Sequence, residues 1–152
     1  MAALSVLVVD DDDHTLNIFR LLMDYYAFPL LTLSGAEAQE YFQSYNPAYQ
    51  TVFDVIAIHV TLPDMDSYQL AQRMRRHSKA KMVAITARYT QLSDPAREII
   101  VGTFDGILLK PLKVAEIIPY LQDVVAGKIR GNGHWNIGRR VTHWTLIDYR
   151  GV

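Results

Sequence analysis

Five short apolar runs punctuate the chain, at Val6 to Val9, Leu30 to Leu33, Val55 to Ile58, Met82 to Thr86 and Ile107 to Leu109. Each is continuous rather than alternating, which suits a strand covered on both faces and therefore a parallel sheet between two layers of helices. Between the runs, apolar residues recur at helical spacing: Leu16, Phe19, Met23 and Tyr26; Leu70, Ala71 and Met74; then Val114, Ile117, Ile118, Leu121 and Val125. The pattern predicts β followed by α, five times over. Ser34 with Glu37 reads as a capping box, and Asp94 before Pro95 as a cap with proline at the first helical position. Pro119 conflicts with the last helix, because a missing donor and a ring clash should kink or restart it.

After Gly127 the pattern changes. Glycines around Asn136-Ile137-Gly138, flanked by β-branched and aromatic residues, suggest a two-stranded hairpin or an extended arm. The chain therefore divides into a body, residues 1–127, and a C-terminal extension, residues 128–152. The 152 residues suit one ordinary domain. Net charge is −1, but the extension has five Lys/Arg against one acid, so a body of −5 carries a tail of +4. With no cysteine, disulfides, thiolate metal sites and cysteine nucleophiles are excluded. The start is unlike a secretory signal and no apolar run approaches the roughly 18 residues of a membrane span, so the cytoplasm is the default expectation.

Ligands of an open parallel sheet bind beyond the carboxyl ends of its strands. Those ends carry Asp10, Asp11 and Asp12 after the first run, His59 after the third, Thr86 at the fourth, and Lys110 with Pro111 after the fifth. Carboxylates, a hydroxyl and an ammonium on one rim are the parts of a phosphoryl and hard-cation site.

Four motifs then stand in order, each at a strand end: Val8-Val9-Asp10-Asp11, Leu62-Pro63-Asp64-Met65-Asp66, Ile85-Thr86-Ala87, and Gly106-Ile107-Leu108-Leu109-Lys110-Pro111. Over about Ser5 to Ala126 the chain resembles the receiver domains of two-component response regulators, the CheY-like family. The resemblance implies a flavodoxin-like, doubly wound five-stranded parallel sheet of order 2-1-3-4-5. It also implies an acidic pair for Mg²⁺ at Asp10 and Asp11, a phosphoacceptor position at His59, switch positions at Thr86 and Ile107, and the phosphate-binding lysine at Lys110. The acceptor is an aspartate in that family, and imidazole forms no acyl phosphate. Ile107 stands where the family has a switch aromatic, and Ser67 where a glycine follows Met-Asp. The implied protein is a degenerate, or pseudo-receiver, domain that works in signalling without aspartyl phosphorylation, with Mg²⁺ binding weak or absent and no other cofactor.

For His59 two readings stand: the imidazole fills the old pocket and hydrogen-bonds to Asp10 or Asp11, or its imidazolium form takes the place of Mg²⁺. A zinc-type site would need more ligands than His59 and His14 provide. Asp54 lies five residues back, near the opposite end of the sheet, and Asp64 and Asp66 read as turn and cap residues. Lys110 is expected to pair with Asp11. Partners are expected to be signalling proteins that meet the surface of the fourth helix, fifth strand and fifth helix, roughly Pro95 to Val125. The tail is expected to pack on the domain or on a second copy, which would make a homodimer, with its tryptophans and tyrosine supplying the area, or else to serve as a partner-binding arm. Its 25 residues are few for a helical DNA-reading domain, so nucleic acid is not the expected partner, despite Arg139-Arg140. The competing class is a small enzyme using Asp11, His59 and Lys110. It lacks a glycine-rich phosphate loop, a serine or cysteine elbow and a metal-ligand set.

Overall fold

Successive residues of a strand face opposite sides of the sheet, and the two buried clusters divide on that parity. Val9, Ile56, Ile58, Met82 and Ile107 join the cluster that holds Phe42, Met74 and Ile100. Val8, Val55, Ala57, Val83 and Ile85 join the one that holds Phe19, Met23 and Leu121. Both faces of the sheet are thus dry, as the continuous apolar runs require.

The computed structural model describes residues 3–46, 48, 50, 52–87 and 93–128. Along the chain these form β1 (Val6–Val9), α1 (Asp13–Tyr26), β2 (Leu30–Leu33), α2 (Gly35–Gln43), β3 (Val55–His59), α3 (Ser67–His77), β4 (Lys81–Thr86), α4 (Asp94–Thr103), β5 (Gly106–Leu109) and α5 (Val114–Val125). All four strand pairings are parallel and the order is β2-β1-β3-β4-β5. This is the expected flavodoxin-like, CheY-like sheet, with α1 and α5 on one face and α2, α3 and α4 on the other. Strand order reverses between β1 and β3, so the crevice at that switch point opens beside Asp10 and His59.

The capping box is present: the Ser34 side chain accepts from Glu37 N–H, and Glu37 accepts from Ser34 N–H. The cap of α4 is Ser93, not Asp94, because the Ser93 hydroxyl accepts from Ala96 N–H and Asp94 is already the first helical residue. α1 ends on Ala27 in the left-handed region (φ 56°), where Ala27 N–H reaches Asp24 O and Phe28 N–H reaches Met23 O. α5 runs through Pro119 as one helix rather than restarting. Its apolar stripe buries Ile117, Ile118, Tyr120, Leu121 and Val124, and at roughly 1.5–3 kcal/mol per fully buried large apolar side chain that burial outweighs the proline cost of about 3 kcal/mol. Just past the Ala126 cap of this helix, Gly127 takes a φ of 74°. The hairpin or arm expected from the sequence lies outside the described residues, apart from Lys128. Among the described residues no helix is long and apolar enough to cross a membrane.

Candidate functional site

Parallel pairing places Ile58 beside Val9, His59 beside Ile85 and Thr86 beside Leu109. The residues singled out from the sequence therefore meet at one edge of the sheet. Asp10, just past β1, is 1% exposed. Its Oδ1 accepts the N–H groups of Asp11 at 2.8 Å and Asp12 at 3.1 Å. Oδ2 receives no hydrogen bond and faces Lys110 Nζ at 3.4 Å. Two backbone dipoles and one ammonium compensate this buried charge.

Lys110 does not take Asp11 as its partner. Its ammonium donates to Asp12 Oδ2 at 3.0 Å. Asp12 is the N-cap of α1, where it accepts from His14 N–H at 3.1 Å and from the Thr15 hydroxyl at 3.0 Å, while Asp11 points to solvent. The Lys110 hydrogen bond, helped by that from Thr15, holds the Asp12 carboxyl at about 2, below its usual 3.8, against the opposing effect of desolvation. Asp12 is thus a rim residue whose role sequence reasoning missed; the signal available was an aspartate immediately before the first helical turn. Thr86 is 4% exposed, and its carbonyl accepts from Lys110 N–H at 2.9 Å.

His59 ends β3 with 16% of its side chain exposed. It does not hydrogen-bond to Asp10 or Asp11 as expected: Nδ1 lies 2.7 Å from Thr61 O, whereas Asp10 Oδ1 stands 3.8 Å away, beyond hydrogen-bond range. A carbonyl oxygen only accepts, so Nδ1 is the donor in this contact. One donor atom each from Asp10, Asp11 and His59 lie within 4.8 Å of one another.

The other nearby carboxylates are engaged elsewhere. Asp54 lies at the far edge, where it accepts from Ser5 N–H at 2.9 Å. Asp66 caps α3 through Tyr68 N–H at 2.8 Å, and Asp64 accepts from Ala36 N–H at 3.2 Å. That last contact needs Gly35, since a Cβ there would come within 2.9 Å of Asp64 Oδ1. Ser67 is buried, with its hydroxyl donating to Val60 O at 2.7 Å. Ile107 is fully buried, and its N–H donates to the Tyr120 hydroxyl at 2.8 Å.

The family profile of the response regulator receiver domain matches residues 6–122. This chain belongs to that family. Among curated relatives, the receiver matches the transcriptional regulatory protein SrrA of Staphylococcus aureus (strain NCTC 8325 / PS 47) at 22% identity over 113 residues, which is 74% of this chain and 44% of that protein. The chain thus spans under half the length of this relative. Among solved structures, the CheY-like receiver domain from Methylobacillus flagellatus is similar with a TM-score of 0.63 at 23% identity, covering 81% of this chain and 99% of that one. The receiver domain of the sensor histidine kinase PA1611 from Pseudomonas aeruginosa PAO1, solved with magnesium coordinated in its active site cleft, gives 0.64 at 20% identity, over 82% and 99%. At these identities the structural likeness carries the fold, and the receiver's chemistry is argued from its own rim.

Proposed function

We propose that this receiver acts in two-component signalling through protein contacts and without aspartyl phosphorylation. One observation carries the reading: the residue at the acceptor position, His59, is an imidazole whose Nδ1 is engaged by Thr61 O, and among the described residues no carboxylate replaces it. Asp54 is at the far edge, and Asp64 and Asp66 are occupied as helix-terminal acceptors. Lys110 is drawn to Asp12 and Asp10. Magnesium is a poor match for this rim, because it prefers an all-oxygen set and the third donor here is nitrogen. The magnesium of the PA1611 receiver belongs to that protein, and binding by this one is expected to be weak or absent.

The same rim argues against catalysis by Asp11, His59 and Lys110, since the lysine is neutralised by two other carboxylates. A buried Ile107 in place of a rotating aromatic supports a domain that does not signal through phosphate-driven side-chain rotation. Signalling proteins are the expected partners, at the surface of α4, β5 and α5. Half-exposed Ile99 and Val114 on that surface support this. Beside Val114, Leu21 and Tyr25 of α1 flank a groove of about 420 Å³. The cytoplasm is the expected compartment, and the tail's role as a packing arm or dimer contact is part of the same proposal. Incubation with acetyl phosphate and Mg²⁺ followed by intact mass spectrometry tests the central point. No mass gain is expected, and a stable gain of one phosphate overturns the proposal.

A further inference from the structure

We propose that the far edge of the domain, where α2, α3 and the start of β4 meet, is a docking trough for an extended acidic segment of a partner protein, one that carries apolar side chains between its carboxylates. β4 runs from Lys81 at this edge to Thr86 at the rim, so roughly 17 Å of strand separates the trough from Asp10 and His59. It is built on α2 and α3, and is therefore additional to the surface of α4, β5 and α5.

Charge is the first observation. Arg73, Arg75, Arg76, Lys79 and Lys81 stand within nine residues that contain no acid, on a body of net −5. The negative end of the α3 dipole accounts for Arg75 and Arg76 in its last turn, but not for Arg73 before that turn or for Lys79 and Lys81 beyond the helix. Arg75 donates to Thr103 O at 2.7 Å and pairs with Asp105 at 3.5 Å. Among the described residues the other four cations enter no ion pair, and Arg73, Arg76 and Lys79 are exposed. A concentration of one sign repels itself and draws anions.

Shape is the second. Two grooves meet at Arg76 and His77. One, of about 250 Å³, lies between α2 and α3 over Phe42 and Leu70, with Arg73 on its wall. The other, of about 430 Å³, continues past Tyr45 and Val52 to Lys79. Phe42 and Leu70 are buried and Val52 is 61% exposed, so the trough offers apolar as well as cationic contact. Lysine and arginine carry their charge at the tip of a long stem, which sets the heads above such a floor. An extended chain sends alternate side chains to opposite sides, so apolar ones enter the trough while neighbouring carboxylates meet the cations at its lip. A single-stranded polynucleotide fits less well, because it needs rings on which bases stack. Among the described lining residues the aromatics are Phe42, which is buried, and Tyr45, whose ring packs on Phe42 with centroids 4.9 Å apart.

The test is fluorescence anisotropy on the full chain with labelled synthetic peptides: one alternating glutamate with leucine, one of glutamate alone and one alternating lysine with leucine, beside a labelled oligouridylate. The glutamate–leucine peptide is expected to bind one to one with a Kd below about 100 µM, about tenfold tighter than polyglutamate, and to weaken at least about tenfold between roughly 50 mM and 500 mM salt. The lysine peptide should not bind. Arg76→Glu with Lys79→Glu reverses two exposed charges and should weaken binding at least about tenfold, and Val52→Asp should weaken it about threefold or more. Arg139→Glu with Arg140→Glu, in the basic extension, should bind as wild type does. Absence of binding overturns the proposal, as does oligouridylate bound more tightly than the peptide. Undiminished binding in the Arg76 and Lys79 variant also overturns it and would place the peptide on the extension. Should that variant not fold, ¹⁵N amide spectra of wild type decide: the peptide must shift Arg73, Arg76, His77 and Lys79, and shifts confined elsewhere overturn the site. No phosphoryl donor is present in this experiment, so its failure leaves phosphorylation independence standing, and a phosphate mass gain would leave the trough standing.

Discussion

Exchanging His59 for aspartate converts an imidazole beside a buried carboxylate into a second carboxylate. His59 Nδ1 stands 3.8 Å from Asp10 Oδ1, so the new charge comes to about that distance from a group already sealed from water. Two like charges about 4 Å apart repel by about 4 kcal/mol at an effective dielectric constant near 20. Lys110, 3.4 Å from Asp10 Oδ2, offsets part of this. Loss of the Thr61 contact adds about 1 kcal/mol. The net expectation for metal-free His59→Asp is a loss of roughly 2–3 kcal/mol relative to wild type, or a fall of about 0.7–3 M in urea midpoint for a slope of about 1–3 kcal/mol/M. Mg²⁺ should reverse the loss, because an ion at a hundred times its Kd stabilises by about 2.7 kcal/mol. Urea unfolding followed by far-UV circular dichroism, with and without Mg²⁺, reads all four conditions. The wild-type midpoint should not respond to Mg²⁺. A metal-free variant as stable as wild type, or a wild type stabilised by Mg²⁺ as strongly as the variant, would refute the argument.

Three further outcomes are expected. Lys110→Met removes the largest cause of the low Asp12 carboxyl, so ¹³C titration should find that group moved up from about 2 toward 3.8; an unmoved group refutes the pairing. In wild type, Asp12 stabilises the fold fully above pH 4 and loses that contribution as pH falls toward 2, because the unfolded chain takes up the proton first, and acid unfolding should flatten in that window in the variant. Tyr120→Phe strands the buried Ile107 N–H and should cost about 1–3 kcal/mol by urea unfolding, with a loss below about 0.5 kcal/mol counting against the bond. Ala27→Gly relieves a left-handed residue at the end of α1, offset in part by greater unfolded-state entropy, and should raise the melting temperature by the equivalent of up to about 1 kcal/mol.

The sheet was legible because both its faces are dry: uninterrupted apolar runs such as Val6–Val9 become parallel strands between helices, and their ends were placed to within a residue. Differences arose where tertiary structure chooses among local options. Ser93 rather than Asp94 became the cap of α4, and α5 absorbed Pro119 because its stripe is so deeply buried. The rim was legible by the same logic, since a parallel sheet gathers its strand ends at one edge, and Asp10, His59, Thr86 and Lys110 are all there. Their pairing was not. Three consecutive aspartates look alike in a sequence, and only the cap geometry of α1 turns Asp12 rather than Asp11 toward Lys110. The His59 bond runs to a backbone carbonyl, an acceptor that no side-chain pattern announces.

The hydroxyl of Tyr120 has a consequence beyond the stability of β5. That strand borders the sheet, where an unsatisfied main-chain donor would invite a foreign strand to add on. At Ile107 the position is taken, so a visiting extended peptide finds nothing there to grip. A partner that docks at Ile107 must read side chains there rather than this backbone donor, and edge-on stacking of one sheet against the next is hindered at that point.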